Sequence, residues 1–243
     1  MKPVLRWIGL ALVAALALQL FFLARIALAT VVAPESTSFQ RSEAWNILRE
    51  RGSLRWRQQW VPYAQISDSL KRAVIASEDG DFINHDGVEW EAIEKAWQRN
   101  AKAEEAAARR AQQARASNRA PRIVGGSTIT QQLAKNLLLS GERTLLRKGQ
   151  EFVLTLMLEA LLSKQRILEI YLNSVEWGEG VFGAEAAAQH YYRKSAQRLS
   201  AHEAARLAVM LPRPKYFEKL PNSAYLANRA GTIAARMGDA VLP

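Results

Sequence analysis

The chain has no cysteine, which excludes disulfide staples and thiolate metal sites. Histidine is almost as scarce: with only His85, His190 and His202, a multi-histidine metal centre would need nearly all of them. The nearest metalloprotease-like string, His202-Glu203-Ala204-Ala205-Arg206, has Arg where the second ligand must stand and is discarded. Acidic residues are outnumbered, 23 against 33 Lys and Arg, leaving a net charge of +10. No RNP, zinc-finger or helix-turn-helix signature accompanies that charge, so nucleic acid is not the expected partner. What is present is length and apolar content: 243 residues, 49% of them hydrophobic, enough for one or at most two domains with a real core.

From Trp7 to Ala24 no residue is charged, and after Arg25 the apolar character resumes to Ala33, a run long enough to cross a hydrocarbon core as a helix. A cleaved secretory signal is the competing reading, since Ala27-Leu28-Ala29 has the small-x-small pattern of a cleavage site. The run exceeds a signal core of roughly 7 to 15 residues, and the reading adopted is an uncleaved anchor. Lys2 and Arg6 precede it and should stay cytoplasmic. The expected organisation is a cytoplasmic tip and transmembrane anchor over residues 1–33 and a single-pass topology, with residues 34–243 outside the cytoplasm. There, excess positive charge points to anionic lipid or phosphate-bearing substrates.

Beyond a polar linker at Pro34 to Ser38, the periodicity is helical with few strand-like alternations, so the fold class is mainly α. Ser67 and Asp68 open a helix running to about Glu78. Glu151 to Leu172 reads as the strongest element; its first turns are apolar all round, which predicts burial. Ala184 to His190 and Leu199 to Leu211 read as further helices, the latter halted by Pro212 and Pro214. Residues 99–122 hold seven basic and two acidic residues and no large apolar side chain, and read as a solvated basic insertion or a contact for anionic lipid.

Four segments concentrate polar groups that a core does not need. In the first, Glu78 and Asp79 end a helix, where the dipole disfavours acids, and a loop with Phe82, His85 and Gly87 follows. In the second, Gly125-Gly126-Ser127-Thr128 leads a helix start in which Gln131 completes a capping box. Thr128, Gln132 and Lys135 share one face of that helix, and its free N–H groups suit an anion. The third, Arg143 to Glu151, brings Arg143, Arg147 and Lys148 to one carboxylate; Arg147 and Glu151, four apart, could simply pair. The fourth, Lys164 to Asn173, reads mostly as scaffold, and Glu159 as a candidate buried carboxylate.

Glu78-Asp79-x-x-Phe82-x-x-His85-x-Gly87, Gly126-Ser127-Thr128-Ile129-Thr130-Gln131-Gln132-Leu133-x-Lys135-Asn136, Arg147-Lys148-x-x-Glu151 and Ile167-Leu168-x-x-Tyr171-Leu172-Asn173 resemble, in this order, the motifs of the peptidoglycan glycosyltransferases of glycosyltransferase family 51. The resemblance covers roughly residues 67–214, and with one expected anchor and no penicillin-binding domain expected after Pro243 it looks like the monofunctional members. It departs at Gly80, where many members have Arg, and at Glu89, where many have Asp. The 99–122 insertion also lacks the apolar residues that relatives often place between the first two motifs.

The resemblance implies a lysozyme-like helical domain with a membrane-proximal lobe in the bacterial inner membrane, its catalytic part periplasmic. It implies polymerisation of lipid II into β-1,4-linked glycan by inverting single displacement, with undecaprenyl pyrophosphate released. Glu78 is then the general base, and Glu151 orients Lys148, Arg143 or the acceptor. Lys135 and Arg143 hold the pyrophosphate, with Ser127, Thr128, Gln131, Gln132, Asn136 and Lys148 binding substrate and Asp79, Phe82 and His85 supporting. The partners implied are lipid II, the lipid-linked chain, the membrane and other cell-wall synthesis proteins. No cofactor is required by sequence; the family leaves room for a divalent cation, Mg2+ or Mn2+, near Glu78 and Asp79, although no ligand spacing demands one. Two rivals stand beside this reading. A lytic glycan-cleaving enzyme would share the fold but needs an acid in an apolar pocket, and a membrane-tethered scaffold would need no chemistry.

Overall fold

The computed structural model describes residues 2–90, 94, 98, 101, 102, 105, 127–139 and 144–243. Most of the 99–122 insertion, the Gly125-Gly126 pair and Arg143 lie outside the described residues. The described chain is mainly α, as expected, with one small three-stranded sheet. Helix α1 (Lys2–Leu28) is followed by α2 (Ser38–Arg51), strand β1 (Arg57–Gln58) and α3 (Asp68–Glu78). Helices α4 (Ile129–Leu138), α5 (Leu145–Leu161) and α6 (Lys164–Ser174) lead into strands β2 (Glu176–Gly178) and β3 (Val181–Phe182). Helices α7 (Ala184–Tyr192), α8 (Ala201–Met210), α9 (Pro214–Phe217) and α10 (Ala224–Arg236) complete it.

Local chemistry sets these boundaries. Ser67 caps α3 by accepting from the Leu70 amide, and Thr37, Thr128 and Ser200 each open a helix with a reciprocal capping box. In the sheet β3 is central, parallel to β1 and antiparallel to β2. Helices α3, α8 and α10 pack together, while α4 packs against α2, α5 and α6. Asn173, at the end of α6, accepts from the Val61 amide and donates to the Val61 carbonyl (2.9 and 3.0 Å). That side chain stands in for a backbone partner at Val61 in the segment before α3.

Two expectations need correction. Glu151 to Leu172 is not one helix: Ser163 accepts from the Arg166 amide and starts α6 afresh, so the chain turns after Leu162. Nor is the apolar circumference of α5 wholly buried. Leu154 and Leu158 are fully covered, whereas Phe152, Val153, Leu156 and Leu161 stay 37–44% exposed beside Leu145 and Leu146 at its start. Trp90 lies against Phe152, with ring centroids 6.1 Å apart. A periodicity argument registers that a face avoids water but not what covers it.

Helix α1 is long and apolar enough to cross a bilayer, and its C-terminal half packs against α5. Phe22 and Ile26 are buried there, and the Gln19 and Gln150 amides exchange two hydrogen bonds (2.9 and 3.0 Å). Arg166 donates to the carbonyls of Ala29 and Val32, holding the chain where it leaves α1.

Gly180, between β2 and β3, has φ +72°, and an added Cβ would lie 2.0 Å from the Arg55 carbonyl oxygen. Gly180→Ala should therefore destabilise the protein by about 3 kcal/mol, combining left-handed backbone strain with displacement of the strand it crosses. Thermal unfolding in detergent would measure this; an unchanged midpoint would contradict the packing of β1 on β3.

Candidate active site

Glu78 and Asp79, adjacent in sequence, do different things. The Asp79 carboxylate is buried, with one oxygen 2.8 Å from His85 Nε2 and the other accepting from the Ile129 amide at 2.9 Å. It thus ties the end of α3 to the first turn of α4 and meets one of that helix's unpaired N–H groups, where negative charge is favoured. In the neutral ring His85 Nδ1 accepts from the Gly87 amide at 3.0 Å and Nε2 carries the proton toward Asp79; protonation of Nδ1 gives up the Gly87 bond and strengthens the pairing with Asp79. Thr128 donates to the Gly87 carbonyl at 2.6 Å and so closes the loop onto α4. Lys164 fastens the other side, bonding the His85 carbonyl and Glu159 and standing 4.7 Å from the Phe82 ring centre. Phe82 is fully buried, and its support for the site is packing beneath this loop. Glu159 is the hydrogen-bonded carboxylate the sequence suggested, accepting from Thr130 and Lys164.

Glu78, half-buried, accepts from Gln132 Nε2 at 2.9 Å and from Ser77 Oγ at 3.3 Å. Tyr171 Oη donates to Gln132 Oε1 at 2.9 Å. Burial raises the Tyr171 pKa well above its usual value, so the phenol keeps the proton that fixes the Gln132 amide with its NH2 toward Glu78. Burial also pushes the Glu78 carboxyl upward, more than the Gln132 and Ser77 bonds pull it down. The result is a carboxyl with raised basicity in a fixed orientation.

Gln132 borders two clefts. One, of about 460 Å³, is lined by Ser127, Gln131, Lys135, Arg147, Lys148 and Glu151; its neighbour, of about 350 Å³, shares Gln132, Lys135 and Arg147 and adds Asn136. Glu151 is buried and held by Arg147 (3.0 Å) and Lys148. The structure therefore brings Glu78, Ser127, Gln131, Gln132, Lys135, Asn136, Lys148 and Glu151 to one region. Thr128, Asp79 and His85 lie behind it as framework.

Two residues escaped the sequence reading of the site. Arg147, read there as a simple partner for Glu151, also lines both clefts. Glu176, on β2, borders the second cleft with one oxygen lacking a hydrogen bond; burial raises its pKa to about 7, partly offset by Lys215 at 3.6 Å. Arg147 could have been found from the clustering of cations before Glu151, whereas a single Glu in a short strand gave no signal.

The donors present do not make a metal site by themselves. Both Asp79 oxygens are engaged, and among the described residues no group of three or more metal-ligating side chains occurs.

A shelf of cations beside an oriented, raised-pKa carboxyl suits transfer of a group from an anionic leaving group. Residues 46–238 match the family model described as transglycosylase. The chain belongs to this family of glycosyl-transferring enzymes. Among curated proteins it is similar to the biosynthetic peptidoglycan transglycosylases of Burkholderia thailandensis and Burkholderia pseudomallei, each 54% identical over 246 residues, covering 100% of this chain and 90% of the relative. The protein of that name from Paraburkholderia xenovorans is 53% identical, over 95% of this chain and 90% of the relative.

His85 gives the framework a pH signature. Burial opposes its charged form, but the hydrogen bond and charge of Asp79 outweigh this and raise its pKa above the ordinary 6.5. The pair's contribution to stability should be complete below pH 6.5 and fade as pH rises through the raised value of the folded state. Melting curves across that interval should show the decline, and His85→Gln should abolish it. Asp79→Asn should cost about 2 kcal/mol, from weakening two charge-assisted bonds.

Proposed function

We propose that this enzyme polymerises lipid II into β-1,4-linked glycan, releasing undecaprenyl pyrophosphate, with residues 1–33 as tip and anchor and residues 34–243 as a catalytic domain on the periplasmic face. The observation that carries the reading is the contact between Glu78 and Gln132, which sets a basic carboxylate at the edge of a cleft bearing Lys135, Arg147 and Lys148. Glu78 takes the proton from the acceptor's 4-hydroxyl as that oxygen attacks the anomeric carbon of the donor. The pyrophosphate that leaves is weakly basic and needs charge neutralisation more than a proton. Lys135 and Arg147 supply that from the cleft wall, joined by Arg143 from the third motif. Glu151 holds Arg147 and Lys148 in place instead of moving the proton, since its two oxygens are already engaged by them. Attack in one step inverts the donor's α linkage to β.

The membrane placement draws support from α1 and α5. With α1 across the bilayer, its pairing with α5 sets the outward face of Leu145, Leu146, Val153 and Leu156 against lipid. Membrane contact then comes from this helix, without apolar residues in the 99–122 stretch.

Polymer formation from lipid II in detergent tests the reading. Glu78→Gln should lower the rate by about 10² to 10⁴. Tyr171→Phe, which frees the Gln132 amide to rotate, should cost about tenfold, equivalent to one hydrogen bond at the reacting group. The parent rate should rise with pH through the elevated Glu78 value and flatten above it, because only the ionised carboxylate accepts the proton. A Glu78→Gln protein as fast as the parent would remove Glu78 from the chemistry.

A further inference from the structure

A cleft larger than either of those bordered by Gln132 lies elsewhere in the described structure. It measures about 770 Å³ and lies between the C-terminal end of α2, strands β1 and β3, and the segment after α9. Its wall carries Arg51, Arg55, Arg57 and Lys219 against two carboxylates, Glu179 and Glu218. Both carboxylates are committed: Arg51 bonds both Glu179 oxygens at 3.1 Å, while Glu218 takes the Glu179 amide at 2.9 Å and His190 Nε2 at 3.2 Å. Arg57 stands 3.2 Å from His190 Nδ1. A guanidinium only donates, so Nδ1 accepts and the ring proton points at Glu218, which fixes the Arg57 head at the wall. The cleft is therefore cationic with its own acids already used, an arrangement that favours an incoming carboxylate.

Its position relative to the reaction centre suggests whose carboxylate. Phe39 lines the second cleft, beside Gln132 and Lys135, and its ring meets Phe182 edge-on at 6.2 Å. Phe182 stacks on Trp56 at 4.5 Å, and Trp56 lines the large cationic cleft. Phe182 is fully buried, so an interior row of three aromatic rings separates the reaction side from the cationic cleft and places the two close together.

We infer that the cleft formed by Arg55, Arg57, Lys219 and Trp56 is a holding site for the growing glycan strand, gripping the carboxylates of its peptide stems beyond the reaction centre. The inference rests on the polymerase reading above. A strand held there dissociates less often between additions, so the site governs product length and not the rate of bond formation.

The test uses the full chain in detergent with Arg55→Gln/Lys219→Gln, two exposed side chains outside the catalytic machinery, and with Arg55→Glu alone as a graded second variant. Mean strand length from lipid II should fall about threefold or more in the double variant while initial lipid II consumption stays within about twofold, and a labelled tetrameric disaccharide-pentapeptide strand should bind about tenfold more weakly. A neutral chitin oligosaccharide of the same length should bind far less well than the stem-bearing strand. Unchanged strand length in both variants would overturn the proposal. So would equal affinity for the neutral oligosaccharide, or a clear preference for polyglutamate over the strand, which would point to an acidic protein partner. A parent that makes no polymer would instead sink the polymerase reading alone, because the binding measurement needs no catalysis.

Discussion

The Asp79 carboxylate is the joint on which the site is built. It is buried at the end of one helix and receives both an imidazole and the leading amide of another, so two helix termini that would otherwise need water satisfy each other. The position of Glu78 follows from it. With Asp79 locked, the neighbouring side chain emerges against α4 one turn in, where Gln132 meets it. The long separation between these segments, 50 residues between Asp79 and Ile129, makes this a tertiary constraint imposed through one side chain.

Behind the joint stands a second tier of charge. Glu159 and Lys164 clamp the loop from His85 to Gly87, while Glu151, two turns earlier on α5, gathers Arg147 and Lys148. Gly87, at φ +79°, allows the close approach: an added Cβ would meet Thr155 and Glu159 at 2.7 and 2.8 Å. The carboxylates therefore fall into distinct roles. Asp79, Glu151 and Glu159 organise, each held by its partners, and Glu78 stands behind Gln132 at the edge of the cleft with its basicity raised by burial.

Much of this was legible before any coordinates. Capping residues located the starts of α3 and α4 because a hydroxyl followed three residues later by Gln, or an acid in the first turn, has a local physical meaning. The stripe of Thr128, Gln132 and Lys135 emerged from helical geometry alone. What escaped depended on distant contacts. Nothing local distinguishes Tyr171 as core from Tyr171 as the group that orients Gln132, since it is both. The break at Ser163 did leave a local sign, the polar run Ser163-Lys164-Gln165-Arg166 led by a capping hydroxyl, which the long apolar stretches on either side outweighed; the open face of α5 was hidden because hydrophobic periodicity does not say what covers a face. Glu176 acquires its character only from the cleft and the Lys215 chain that close over it.

The paired amides of Gln19 and Gln150 have a mechanical consequence. Because Gln150 immediately precedes Glu151, the anchor grips the catalytic body one residue from a saturated carboxylate, about 14 Å of helical rise before α1 ends at Leu28. With α1 across a bilayer, as proposed, it acts as a depth gauge and not a leash: tilt of the helix carries the body with it through the paired amides.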